Sequence, residues 1–136
     1  MGRETRVLLW LLGTAFVVSV DYVNYDDYPQ PDPDSLLAPS AAQVGGAWFV
    51  FTAFGALGLW LWFRGRTTAA SLALTAYSVS GLIGIGHYTV DGATDMVWWR
   101  QAHVVVDILC GAAVFGFAVW AALRRPRRSA EVERVR

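Results

Sequence analysis

Four stretches of this chain are apolar for long enough to cross a hydrocarbon core, and nothing constrains its fold more. A helix needs about 20 consecutive, mostly apolar residues to do so. The stretches run from about 7 to 23, 44 to 63, 69 to 88 and 98 to 123. Hydrophobic residues make up 55% of the sequence and charged residues only 16%, against about 25% charged in an ordinary soluble domain. A small soluble chain has a large surface to keep wet, and this one lacks the charge for it. The composition excludes a disordered chain, a disulfide scaffold and a nucleic-acid binder. The expected fold is therefore all-α, an integral membrane bundle of four antiparallel transmembrane helices over residues 1–123. A basic tail, 124–136, follows it.

The first stretch is the least apolar at its end, because Asp21 follows Val20. Arg3 and Arg6 before an apolar run resemble the start of a signal peptide. The small residues of a cleavage site are missing at Val18-Ser19-Val20-Asp21-Tyr22, so the stretch is expected to be retained as a helix.

Arginine placement gives an orientation. Arg3 and Arg6 precede the first stretch, and Arg64 and Arg66 lie between the second and third. Arg124, Arg125, Arg127, Arg128, Arg134 and Arg136 follow the fourth. With four crossings all of these fall on one side, and only Arg100 falls on the other. Such a bias places that side, with both termini, in the cytoplasm. Asp26, Asp27, Asp32 and Asp34 fall in the opposite, outer loop, and Asp91 and Asp95 in the second outer loop. Aromatic residues mark the same boundaries. Trp48, Trp98, Trp99, Tyr22, Tyr25, Tyr28 and Tyr88 lie at the outer one, and Trp60, Trp62 and Trp120 at the inner one. The Arg-rich tail can contact anionic headgroups. No aromatic stacking platform accompanies it, so the expected partner is the lipid bilayer and not a nucleic acid.

Lipid gives helices no hydrophobic reason to associate, so small residues and polar contacts must do it. Ser80 and Gly84, with Gly81, form one small-residue row; Ala112 and Gly116, with Gly111, form another; Gly55 and Gly58 thin the second helix. These rows offer packing faces within the bundle, or for a homodimer or a membrane partner. The lone Cys110 can form no internal disulfide and reads as a small apolar side chain.

The chemistry is concentrated in the fourth helix. Arg100, His103, Asp107 and Cys110 are spaced 3, 4 and 3, which puts them on one face. An ionisable group at membrane depth costs about 2.5–3.5 kcal/mol if it faces lipid, so Asp107 is expected to face the bundle interior. The third helix offers Tyr77, Gly81, Gly84 and His87 or Tyr88, and the first offers Thr14 and Asp21. Converging, Asp21, His87, Tyr88, Arg100, His103 and Asp107 would line one outward-facing polar pocket. These groups could simply pair and tie helices together, or hold a small molecule. Alternatively, His87 and His103, at similar depth on consecutive helices, could ligate haem, or with Asp107 a divalent metal. No activated nucleophile is readable. The expectation is a binding or accessory protein with no cofactor, and a membrane haem or metal redox protein is the alternative.

The run Ser80-Gly81-Leu82-Ile83-Gly84-Ile85-Gly86-His87-Tyr88 resembles that of small bacterial four-helix membrane proteins whose third helix ends in a Gly-rich stretch followed by His-Tyr. The resemblance implies a bacterial inner-membrane protein of four helices and brings no activity with it. Four-helix multidrug transporters are similar in size but carry a membrane-embedded Glu in the first helix, which is absent here.

Overall fold

A computed structural model describes residues 1–20, 41–92 and 97–124, with backbone alone for 41–44 and 85–92. All regular structure among the described residues is helical. The helices are α1 (Arg3–Ser19), α2 (Ala41–Phe63), α3 (Thr67–Gly92) and α4 (Trp98–Leu123). Helix α1 begins several residues before its apolar run, because Arg3, Glu4 and Thr5 continue the helix without being apolar, and Glu4 suits the positive end of the helix dipole. Its described part runs to Ser19, and the expected continuation to 23, with Asp21, lies outside the described residues.

The turn between α2 and α3 is a Schellman motif. Gly65 adopts φ +69°, a left-handed conformation that favours glycine. The Arg66 amide then reaches Leu61 O at 3.0 Å and the Gly65 amide reaches Trp62 O at 3.0 Å. Helix α3 starts at once, with the Ala70 amide bonded to Arg66 O at 2.9 Å. So short a turn makes α2 and α3 antiparallel neighbours.

Packing contacts join α2 to α3, α3 to α4, α4 to α1 and, most sparsely, α1 to α2, which closes a four-helix bundle. Each helix turns one edge inward. On α4 that edge is Arg100, Val104, Asp107, Cys110, Gly111, Val114, Ala118 and Ala121, a 3–4 progression. On α1 it is Leu8, Ala15 and Ser19, not the Thr14 edge expected from the sequence. Thr14 lines a shallow groove on the outer side of α1 with Trp10 and Val17. The core joins Leu8 and Ala15 of α1 to Leu74 and Tyr77 of α3 and to Cys110, Val114 and Ala118 of α4. A smaller cluster of Leu61, Ala70 and Ala73 lies near the α2–α3 turn.

The closest backbone approach is between α2 and α3. A methyl group added at Gly58 would sit 2.7 Å from Leu74 Cδ2, and one at Gly55 would sit 3.0 Å from Tyr77 Cδ2. The other small-residue rows behave differently. Ala112 and Gly116 face outward, and a methyl group at Gly116, Gly81 or Gly84 would meet nothing within 4 Å. The hydroxyls of α3 are handled locally: Ser71 donates to Thr67 O (2.8 Å), Ser78 to Leu74 O (2.9 Å) and Ser80 to Tyr77 O (3.1 Å). Such back-bonding satisfies a hydroxyl inside an apolar bundle.

The surface is the inverse of a soluble bundle. Every helix exposes large apolar side chains, among them Trp10 and Val17 on α1, Phe49 on α2, Leu72 and Ile83 on α3, and Leu109 and Phe115 on α4. Among the described residues two helices are long and apolar enough to cross a membrane, over Gly45–Phe63 and Trp98–Leu123, and of their most apolar 18-residue stretches only 17% and 33% is buried. A core helix of a soluble protein would be mostly buried. Helix α1 is shorter, at 17 residues, and the serines, threonines and glycines of α3 dilute its apolar character.

At the end of the bundle where α1 starts and α4 stops, arginines lie over tryptophans one turn away. Arg64 is 5.1 Å from the Trp60 ring and Arg124 is 4.1 Å from Trp120. Arg124 also meets Glu4 at 3.3 Å across α4 and α1, but both side chains are largely exposed and the pair contributes little.

Candidate functional site

The α4 edge named from the sequence is turned inward over most of its length. Arg100, Asp107 and Cys110 are buried, with Asp107 only 5% exposed, and His103 is intermediate. The upper part is organised around Trp99. The Arg100 guanidinium lies 4.9 Å from the Trp99 ring centre, and the His103 ring meets the same indole edge-on at 5.4 Å. Asp107 is one turn below His103 and about 10 Å along the axis from Arg100, at 1.5 Å per residue. His103 remains close enough to act electrostatically on the Asp107 carboxylate.

Asp107 borders a small cavity of about 50 Å³ between α2, α3 and α4. Trp48 and Phe51 of α2 form one wall, and Tyr77, Ser78, Ser80, Gly81 and Gly84 of α3 form another. The two glycines leave the space open, since neither has a side chain and nothing else fills it. The α2 wall is fixed from outside. Trp48 Nε1 donates to Ser19 Oγ of α1 at 3.1 Å, and Ser19 Oγ in turn donates to Phe16 O at 3.0 Å. An aromatic series, Phe16, Trp48, Phe51 and Tyr77, steps inward at ring separations of 5.9, 6.5 and 5.5 Å. Tyr77, Asp107 and Cys110 are close enough for their charges to act on one another. Among the described residues nothing donates a hydrogen bond to Asp107 and it makes no ion pair.

Of the six residues expected to share a pocket, the structure places Asp107 on this cavity. Arg100 and His103 lie above it on the same α4 edge and do not line it. Asp21 falls outside the described residues. His87 and Tyr88 lie in the last turns of α3, and their side chains fall outside the described ones. Among the described residues no three His, Cys, Asp or Glu side chains are grouped as a metal site. Cys110 packs in the core beside Leu74 and Val114.

Sequence reasoning missed Trp48, Phe51, Ser78 and Ser80. The sequence places Trp48 at the outer membrane boundary; in the structure its indole N–H is tied to Ser19 and its ring lines the cavity. Two signals were present: aromatic residues three apart on α2, and hydroxyls one turn from the α3 glycines.

The fold and site together define an all-helical, four-helix bundle with an apolar exterior and a carboxylate on an internal cavity. Comparison with protein-family models, with curated proteins and with solved structures finds no match to this chain.

Proposed function

We propose that the chain is a four-pass protein of a bacterial inner membrane, with both termini cytoplasmic, and that it is a binding or accessory protein whose ligand occupies the Asp107–Tyr77 cavity. The apolar exterior of all four helices supports the membrane reading, since a bundle in water would present charge there. The arginine bias supports the orientation. The observation that carries the binding reading is Asp107 itself. A carboxylate 5% exposed, beside an open space and without a hydrogen-bond donor among the described residues, is costly to hold in an apolar bundle. Structural carboxylates are ordinarily enclosed by donors.

Two experiments test this. The first is stability. If Asp107 were a structural tie, Asp107→Leu would destabilise the bundle, as breaking a buried pair does by about 3–5 kcal/mol. The expected result is a folded variant as stable as the parent or about 1–3 kcal/mol more so, since a lone buried carboxylate is replaced by an apolar group with room to fit. Thermal unfolding in detergent, with a bulky quaternary ammonium chloride as the only salt so that no small ion fills the parent's cavity, reads this, and a clear loss of stability overturns the binding reading.

The second is topology, in a Cys110→Ser background. A membrane-impermeant maleimide is expected to label Ser35→Cys and Thr94→Cys in intact cells, and Ser129→Cys only after permeabilisation. Were α2 and α4 the sole crossings, Ser35→Cys and Ser129→Cys would label from the same side.

A further inference from the structure

Resting on that reading of the cavity, we infer that its ligand is a small monovalent cation, of alkali-metal or ammonium type, held by Asp107 with the hydroxyls of Ser80 and Tyr77. Three observations set the class.

The first is which atoms face the space. A serine hydroxyl has one proton to donate and two lone pairs to offer. Ser78 and Ser80 have already given their protons to Leu74 O and Tyr77 O. What remains on those oxygens is acceptor capacity. Asp107, ionised, is an acceptor only. The Trp48 N–H, the donor on the α2 wall, is engaged by Ser19 Oγ. The Tyr77 hydroxyl can supply a lone pair as well. Apart from the Tyr77 proton, which a water or a neighbouring lone pair can take, the polar atoms available to a guest are oxygen acceptors; with the Asp107 carboxylate among them they repel an anion and suit a hard cation.

The second is charge. Asp107 is the one ionisable carboxylate on the cavity, and no cationic side chain lines it among the described residues. On α4, His103 stands against the Trp99 indole one turn from Asp107, close enough to act on the carboxylate through space, and Arg100 lies over the same ring two turns away; neither side chain enters the cavity. In a medium of low dielectric a charge is tolerated when it is matched. A monovalent cation matches one carboxylate, whereas a divalent one leaves an uncompensated charge in the bundle.

The third is size. A cavity of about 50 Å³ has room for about three to five water-sized probes at 10–15 Å³ each. That suits a partly dehydrated ion with a water or two. It is far below the 300–1,000 Å³ of sites for drug-sized molecules, so a quaternary ammonium such as choline does not enter.

The test is thermal unfolding of the full chain in neutral detergent, in lithium, sodium, potassium and ammonium chlorides, each against choline chloride at the same ionic strength. A ligand that binds only the folded state raises its melting temperature. At least one small cation is expected to raise Tm by several degrees, saturably, relative to choline. Asp107→Asn is expected to lose that response. Gly81→Leu, which places a side chain into the open space, is expected to fold and also lose it. Equal Tm in every salt, or a response that survives Asp107→Asn, overturns the inference. If Asp107→Leu is stable while no cation acts, the cavity reading stands and the ligand class falls. If Asp107→Leu is itself destabilised, both fall.

Discussion

Trp62→Ala is expected to cost about 3 kcal/mol of bundle stability, the low end of the range for truncating a large aromatic side chain to alanine. Trp62 leaves α2 close to the turn and touches three other helices. Its Nε1 donates to Thr5 Oγ1 of α1 at 3.0 Å, and its ring lies 5.0 Å from Phe117 of α4 in an edge-on arrangement. It also packs against the Leu61–Ala70–Ala73 cluster and against the main core. In the membrane setting proposed above, the transfer component of burial is small, because separated helices are solvated by equally apolar chains. Lost van der Waals contact, the lost hydrogen bond and the remaining cavity dominate instead.

That division makes the prediction specific. Trp62→Phe keeps most of the ring contact and removes the N–H, so it is expected to cost about 1 kcal/mol, the net worth of one hydrogen bond. Thr5→Val removes the same bond from the other side. The double variant should therefore cost less than the two singles summed. Trp10, 77% exposed on α1, serves as the control, and Trp10→Ala should change stability by under about 0.5 kcal/mol. Unfolding in mixed micelles measures all five variants. Equal losses at Trp62 and Trp10 would show that Trp62 does not join the helices.

Much of this arrangement is legible in the sequence, for reasons that differ by residue. The helices are legible because apolar runs of membrane length leave little choice of backbone structure. The Arg100–His103–Asp107–Cys110 edge is legible because a 3–4–3 spacing puts side chains on one face whatever the surroundings. Which face of α1 turns inward is not. Thr14 and Ser19 are both small hydroxyl residues, and what distinguishes them is Trp48, 29 positions further along the chain, whose indole reaches Ser19. The glycines show the same limit. Gly55, Gly58, Gly81, Gly84 and Gly116 look alike in sequence, yet the first two admit a neighbouring helix, Gly81 and Gly84 open a cavity, and Gly116 faces outward. A glycine records that space is needed. What occupies the space depends on the other helix.

Gly58 is where that distinction has its largest consequence. The added methyl of Gly58→Ala would lie 2.7 Å from Leu74 Cδ2, 2.8 Å from Cγ and 3.3 Å from the Leu74 amide nitrogen. The side-chain atoms could swing aside were Leu74 at the surface, but it is fully buried in the core. The amide nitrogen cannot move without α3. Helices α2 and α3 must therefore separate locally or Leu74 must leave its rotamer, an overpacking cost of about 1–3 kcal/mol. Elsewhere on a helix the same change would gain up to about 1 kcal/mol from propensity. Gly84→Ala, with nothing within 4 Å of the new methyl, is expected to be neutral or stabilising and so isolates the steric component. Leu74→Ala should be costly alone but less so in the Gly58→Ala background, because the methyl then enters the space that the leucine vacates. If Gly58→Ala proves as harmless as Gly84→Ala, α2 and α3 do not approach closely at Gly58. The α2 wall of the Asp107 cavity, carried on the same helix pair about two to three turns away, would then have to be redrawn with it.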